Sequence, residues 1–514
     1  MFRMRIGAVA LCIVFALVLC GCAQEAGTAD PVTAHEGVRQ RVGADAGVHG
    51  MNVGDACEMV ALAAANDWFW YMQGDKLLSV SSPVLMLASE RDREAYPQAA
   101  DALRRITAEK KDEAKSLFEE LKETLSYPYV EELYSETGFT AYRSDKYFLS
   151  VLLRTEAYLG GAHPSREYRA VNLNMQTGET LDMTAVVTDP DAVLRLAAED
   201  LRHGYPDVEF LEAPEDALPE AYRDGWLCWT LGYDGLSIHI AGGYFSTYAD
   251  GDLTAFVPFA GNEALFMPAA LSVPGSYARA FDYGTRIPDR VTGECGELTV
   301  NGISEDPEYG MYDYVTVEWR GTRTSIEQYC YSIRPYYLHT EAGDYLYIET
   351  VSEDDYRTLL VYDLAVGRFV GEPMFDTGFS GMWTEEDLYA SPIAFDPSAF
   401  VLSTGLDALS TYGGIKSYTV GEDGLPVTGD DLYTIVGEFV LTVIRSVPAK
   451  DAAGNAILLP VGTELRLTGT DGRTVVYAET SGGTVCLEGQ FESYPQTIGG
   501  MPIEECFDGL MFAG

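Results

Sequence analysis

The sequence predicts a multidomain chain in which an α+β N-terminal module, a helix-flanked antiparallel sheet, is followed by all-β regions. The length of 514 residues is enough for about three domains of ordinary size. Apolar residues recur every three or four positions from Leu103 to Leu125, which predicts a long amphipathic helix, and strand-like runs surround it. Beyond residue 275, strand patterns recur about every 10 to 15 residues between turn signals.

The first 21 residues have the order of a bacterial lipoprotein signal peptide. Basic Arg3 and Arg5 precede an apolar run from Ala8 to Leu19. As a helix this run would be about 18 Å long, well short of the roughly 30 Å hydrocarbon core of a bilayer. The end of the segment, Leu-Cys-Gly-Cys22, resembles a lipobox, in which the last cysteine receives lipid before cleavage. We therefore expect an exported protein, anchored through Cys22 on the extracytoplasmic face of an envelope membrane.

Composition and pattern divide the chain into five segments. Residues 1–21 form the signal peptide, and residues 22–54, rich in Ala, Gly and Asp, read as a flexible tether. The α+β module is expected over 55–275 and a β-rich middle region over 276–437, as a meander, propeller-like blades or a sandwich. Residues 438–514 carry short, regular strands that resemble a bacterial SH3-like barrel. Such a barrel either binds wall peptides or serves as a structural cap.

Elements of the α+β module follow from local signals. Pro97 suits the first turn of the long helix, and Pro128 closes it. The Gly-rich segment 159–167 separates two strand patterns and therefore predicts a hairpin with a long loop. The expected strands are 77–87, 147–158, 168–175, 226–232, 235–240 and 253–259, with a second helix over 190–203.

Four segments together resemble the extracytoplasmic domain of the RsiV family of anti-sigma factors. They are Tyr-Leu-Gly-Gly-Ala-His-Pro over 158–164, the stretch 174–181, Asp-Gly-Leu over 234–236, and 248–259. The resemblance covers about 77–274 and extends to the non-catalytic module of the peptidoglycan deacetylase PdaC. It implies an envelope domain that binds a ligand, which in RsiV is lysozyme. The sequence shows no membrane span to serve an anti-sigma factor and no deacetylase metal motif, so we expect neither activity.

The Gly-rich loop is the candidate ligand loop, formed by Tyr158, Gly160, Gly161 and His163. His163 is the one histidine that such a loop would present to a ligand. A second interpretation assigns the motif to backbone shape alone, because glycine and proline set the turn.

Six cysteines remain after loss of the signal peptide and lipidation of Cys22. We expect disulfides between Cys295 and Cys330 and between Cys486 and Cys506, because each pair lies within one apparent module of an exported chain. Buried free thiols are the alternative interpretation.

The formal net charge of −45 disfavours nucleic acid and anionic headgroups as partners. Such a field attracts cationic proteins, although acidity also serves solubility. The chain carries no HExxH, GxSxG, SxxK, P-loop or CxxC pattern, so we expect no catalysis, no metal site and no cofactor.

These observations predict a non-catalytic binding or sensor protein of the cell envelope. Its candidate partners are lysozyme, another cationic protein, or peptidoglycan. Two alternatives stay open: a wall-glycan hydrolase with its site in the middle region, and a structural envelope scaffold.

The lipid anchor yields the first prediction. Replacing the acceptor thiol with Cys22→Ala should abolish metabolic labelling with palmitate and leave the protein unprocessed, whereas Cys20→Ala should be labelled like the native chain. The acyl chains of a lipoprotein hold it firmly at a membrane, because each buried CH₂ contributes about 0.8 kcal/mol. Full labelling of the Cys22→Ala variant would contradict the assignment.

Overall fold

The computed structural model describes residues 57–127, 129–281, 284–290, 292, 295–305, 310–384 and 386–512. The signal peptide, the tether and Cys22 lie outside these residues. Strands account for 49% of the structure and helices for 18%, in several sheets, so the fold is mostly β. The prediction of an α+β N-terminal module is therefore wrong. No helix in the described part of the chain is both long enough and apolar enough to span a membrane.

The helices are α1 Glu90–Ala95, α2 Pro97–Leu125, α3 Pro190–Gly204, α4 Pro214–Asp224 and α5 Pro268–Leu271. The strands of the first half are β1 Leu62–Gln73, β2 Lys76–Leu87, β3 Glu132–Ser144, β4 Phe148–Tyr158, β5 Ser165–Asn174, β6 Cys228–Leu231, β7 Gly235–Ile240, β8 Leu253–Pro258, β9 Tyr277–Ala280, β10 Gly284–Pro288, β11 Cys295–Ile303, β12 Tyr312–Trp319, β13 Thr322–Cys330, β14 Ser332–His339, β15 Asp344–Val351 and β16 Arg357–Asp363.

The remaining strands are β17 Arg368–Phe375, β18 Thr377–Phe379, β19 Met382–Trp383, β20 Tyr389–Phe395, β21 Phe400–Asp407, β22 Thr411–Val420, β23 Pro426–Val427, β24 Tyr433–Ile435, β25 Val440–Val443, β26 Val447–Asp451, β27 Ala456–Leu459, β28 Glu464–Thr470, β29 Val475–Thr480, β30 Gly483–Gln490, β31 Thr497–Ile498, β32 Met501–Pro502 and β33 Phe507–Asp508.

The first sheet has 12 strands in the order β17-β16-β15-β14-β9-β20-β1-β2-β3-β4-β5, with β19 beside β20, and its strands lie between Leu62 and Phe395 of the chain. Strands β2 and β3 run parallel, and the other pairs are antiparallel. A parallel pair needs a long crossover, which α2 supplies. The helix buries Phe118, Leu121 and Leu125 against Leu78 of β2 and Leu133 of β3. This packing covers one face of β2 and β3.

The predicted fold class is wrong because this sheet extends beyond the predicted N-terminal module. The first three residues of β1 are not an edge, because Leu62 to Ala64 pair with β20, more than 300 positions along the chain. Pairing with β20 satisfies backbone groups that an edge strand would leave open. The sheet continues through β9, so its hydrogen bonds cross the domain boundary predicted at 275. A helix-flanked sheet confined to 55–275 does not exist, although the domain limits themselves stay a prediction.

Three further sheets complete the architecture. A 14-stranded sheet joins β18, β21 and β22 through β24 to the C-terminal strands, and thus also crosses the boundary predicted at 437. Strands β10 to β13 form a four-stranded sheet. Strands β6, β7 and β8 form a three-stranded sheet that shares a core with α3, α4 and α5.

The three-stranded sheet lies on the face of β4 and β5 opposite α2. Ser150 of β4 accepts a hydrogen bond from the Leu231 amide at 3.0 Å, and Asn172 of β5 donates to the Trp229 carbonyl at 2.8 Å. Both contacts lie toward the start of β4 and the end of β5. The opposite end of this face therefore extends beyond the covering layer.

A buried arginine, Arg143, connects the two layers. Its guanidinium pairs with Asp145 at 2.6 Å, and both side chains are fully buried. The same group donates to the carbonyls of Ala270 and Ser272, each at 2.6 Å, and of Gly232 at 3.3 Å. A β-bulge at residue 142 turns Arg143 toward these acceptors, because the extra residue shifts the register.

Removal of this guanidinium leaves Asp145 buried without its counter-charge. We expect Arg143→Met to lower the free energy of unfolding by about 3 to 5 kcal/mol, the usual cost of breaking a buried ion pair from one side. Guanidinium unfolding followed by tryptophan fluorescence measures the shift in midpoint. Arg104→Met, at an exposed ion pair on α2, is the control and should change stability by less than about 1 kcal/mol. Equal small effects of both variants would contradict the role of Arg143.

Candidate ligand-binding site at the end of the β4–β5 hairpin

The candidate ligand loop joins β4 to β5 at the end of the sheet that the three-stranded layer leaves free. Tyr158 is the last residue of β4 and lies opposite Tyr134 of β3. Gly160 has φ +85°, a left-handed conformation that favours glycine, so backbone shape explains this position. At Gly161 a side chain would meet only the His163 carbonyl, 3.8 Å away, so geometry does not require glycine there.

His163 is exposed and stacks on a ring from the resembling segment 248–259. Its ring centroid lies 4.1 Å from that of Tyr248, with an angle of 23° between the planes. The imidazole Nδ1 donates to the Pro164 carbonyl at 2.9 Å, which orients the ring. Two sequence segments that are about 85 positions apart thus meet at one place. The stacked pair presents an aromatic surface to solvent, because Tyr248 is 37% exposed.

Asp252 connects the segment 248–259 to the β4–β5 hairpin. Its carboxylate accepts hydrogen bonds from the Tyr168 hydroxyl at 2.8 Å and from the Gly242 amide at 3.0 Å, and it lies 3.4 Å from Arg166. Burial, followed by the charge of Asp252, raises the pKa of Tyr168 well above its usual value. A side chain at Gly242 would approach the Gly251 carbonyl to 3.0 Å, so glycine at 242 lets these two turns pack closely without a backbone shift.

Carboxylates surround this site on the sheet surface. Glu156 of β4 pairs with Arg166 at 2.9 Å and lies directly opposite Glu136 of β3. Partial burial, then the charges of Glu132 and Glu156, raise the pKa of Glu136 above its usual value. The arrangement suits binding of a cation, since each carboxylate gains from an added positive charge.

Sequence reasoning placed Tyr158 and His163 at this site but missed its acidic residues, Glu132, Glu136, Glu156 and Asp252. The pattern that could have identified the glutamates of β3 is alternation. Glu132, Tyr134 and Glu136 are two positions apart and therefore share one face of the strand. The 57–512 region, apart from its undescribed gaps, contains no group of three acidic, histidine or cysteine side chains arranged to hold a metal ion.

The structure forms neither expected disulfide, because the described cysteines are free thiols. Cys295 begins β11, whereas Cys330 pairs with Tyr312, beyond the far end of that strand at Ile303. Eight residues of strand separate these ends by about 26 Å, while a disulfide needs Cα atoms within about 7 Å. Cys486 lies in β30, and Cys506 is buried in the C-terminal core, also unpaired.

The chain was compared with protein-family models, curated proteins and solved structures. No protein-family model and no curated protein matches the chain. Two crystal structures of DUF3298 family proteins match 42% of this chain and 98% of their own. The one from Bacteroides fragilis has a TM-score of 0.30 at 13% identity, and the one from Pseudomonas aeruginosa has 0.31 at 10% identity. TM-scores this low do not establish a shared fold. The RsiV-like and SH3-like assignments therefore stay predictions.

The role of Asp252 as the link between the two segments can be tested directly. Asp252→Asn keeps an acceptor for Gly242 but loses the charge that holds Arg166 and Tyr168. We expect a loss of about 1.5 to 3 kcal/mol, the usual contribution of a hydrogen bond to a charged group. Hydrogen exchange should accelerate in 242–252 and in the hairpin loop. The exposed Asp207→Asn serves as control, and unchanged exchange in the Asp252 variant would contradict this role.

Proposed function

We propose that this chain is a lipid-anchored, extracytoplasmic binding protein of the bacterial envelope that captures a cationic protein. Lysozyme is the first candidate partner, from the resemblance to the RsiV family. Cys22 is the proposed attachment point, and a connection through 22–54 would allow the binding unit to reach beyond the membrane surface.

One observation carries the proposal. Two of the four resembling segments, 158–164 and 248–259, meet through the His163–Tyr248 stack and the Asp252 contacts. Their meeting forms an exposed aromatic and acidic surface rather than a buried turn. The net charge of −45 adds long-range attraction for a positively charged partner, and salt screens it over a Debye length of about 8 Å at 0.15 M.

The proposal includes an SH3-like unit at 438–514. In its support, β25 to β30 are short strands around one apolar core that includes Leu441, Val447, Leu465 and Leu487. A wall peptide is the ligand that such a unit would take, and it would keep the chain close to the peptidoglycan on which lysozyme acts.

Capture of lysozyme is testable by biolayer interferometry with the full chain in detergent, at about 50 and 300 mM salt. We expect saturable lysozyme binding that persists at the higher salt, while an unrelated protein of matching positive charge washes away. His163→Ala should weaken lysozyme binding about tenfold, as loss of one aromatic contact of about 1.5 kcal/mol would. His203→Ala, an exposed histidine on α3, should have no effect.

Equal, salt-sensitive adsorption of both proteins, or no binding of lysozyme, would overturn this function. Lysozyme binding that His163→Ala and His203→Ala affect equally would remove the hairpin loop from the contact surface.

A further inference from the structure

Aromatic and acidic residues also lie beside the ligand loop, on the neighbouring strands of the sheet. Trp70 of β1 pairs with Ser79 of β2, Ser79 with Tyr134 of β3, and Tyr134 with Tyr158 of β4. Cross-strand partners point to the same side of a sheet, so these four residues form one row. With strands about 4.8 Å apart, the row is roughly 14 Å long.

In the part of the chain that the structure describes, Trp70 and Glu136 on this face are exposed, so no second layer covers them. Helix α2 packs on the opposite side, against Leu78 and Leu133. Trp70 remains 58% exposed even though it stacks on Trp68 with 5.2 Å between ring centroids. A group of neighbouring aromatic rings at the surface, unlike a single exposed ring, is typical of an interaction site, because burying the rings contributes to binding.

Carboxylates accompany the rings on the same face. Glu132, Glu136 and Glu156 alternate with Tyr134 and Tyr158 along β3 and β4. Glu136 and Glu156 lie directly opposite each other, a position in which like charges destabilise a sheet. Glu156 pairs with Arg166 at 2.9 Å and with Arg154 at 3.7 Å, which reduces its repulsion of Glu136. Among the described residues, no ion pair compensates Glu132 or Glu136, and the charges of Glu132 and Glu156 both raise the pKa of Glu136.

We propose that this open face, defined by Trp68, Trp70, Tyr134, Tyr158 and Glu132, Glu136, Glu156, binds a cationic segment of a protein partner through lysine or arginine side chains. The proposal rests on the function proposed above and deepens it by placing the contact. Cations are attracted to the faces of tryptophan and tyrosine rings, and the carboxylates supply charge-assisted hydrogen bonds beside them. A row of about 14 Å matches an extended segment of about four residues.

Two variants of the full chain test the open face, with lysozyme and a short poly-arginine peptide as probes. Glu136→Gln and Trp70→Ala should each weaken binding of both probes about tenfold, as loss of one charged or cation–π contact predicts. The matched controls are Glu372→Gln and Trp383→Ala, exposed residues of β17 and β19. The controls should bind both probes like the native chain.

The thermal midpoint of the free chain is a second measurement. It distinguishes a role of Glu136 in binding from a role in stabilising the fold. Glu136→Gln removes the repulsion from Glu156, so it should raise the thermal midpoint of the free chain by about one to three degrees while weakening binding. A lower midpoint together with weaker binding would indicate damage to the fold and overturn the assignment.

The binding experiments distinguish the hypothesis of the open face from the hypothesis of lysozyme capture. Tight lysozyme binding that neither variant changes would overturn the open face and leave the function standing. No lysozyme binding, with peptide binding that both variants weaken, would overturn lysozyme capture and support the open face. Absence of binding by both probes would overturn both.

Discussion

The buried pair of Arg143 and Asp145 is the interaction on which the geometry of the N-terminal half depends. A charged guanidinium is stable in the interior only when acceptors surround it, and here one carboxylate and three carbonyls do so. The carbonyls come from the β6–β7 turn and from the region of α5, while the carboxylate lies at the β3–β4 turn. The Asp145 carboxylate also accepts from the Tyr147 and Phe148 amides, which fixes the start of β4. This pair therefore sets where the three-stranded sheet lies on the larger one.

That position determines which part of the sheet is available for binding. The covering layer reaches Ser150 and Asn172 but not the far end of the hairpin, where Tyr158 and Glu156 lie. At the margin of the layer, the Tyr248–Asp252 turn contacts the hairpin through His163, Arg166 and Tyr168. One part of this sheet face is thus covered by the three-stranded layer, and the other part is an exposed surface of aromatic rings and carboxylates. Within the described residues, the exposed part keeps Glu136 without an ion pair, near Glu132 and opposite Glu156, an arrangement that a positively charged partner would stabilise.

The local elements were more predictable than their assembly. The helices α2 and α3 and the strands β4 and β5 follow from periodicity, proline positions and a Gly-rich loop. Strands β1 and β3 were missed, because β1 begins with an alanine-rich stretch and β3 interrupts its alternation with glycine and a bulge. These two strands contribute five of the seven residues of the open face, Trp68, Trp70, Glu132, Tyr134 and Glu136, so most of the open face was absent from the sequence reasoning. The pairing of β1 with β20 lies beyond any local pattern, and this pairing makes the predicted α+β module wrong.

The central claim is that a cationic protein binds at the open face and the adjoining hairpin loop. Zero-length carbodiimide crosslinking of the full chain to lysozyme, read by mass spectrometry, tests it most directly, because the reagent joins a carboxylate to a lysine only when they are in contact. The account predicts crosslinks concentrated at Glu132, Glu136 and Glu156, although these are three of 79 acidic residues. Crosslinks distributed over the acidic surface in proportion to exposure, or concentrated on another sheet, would contradict it.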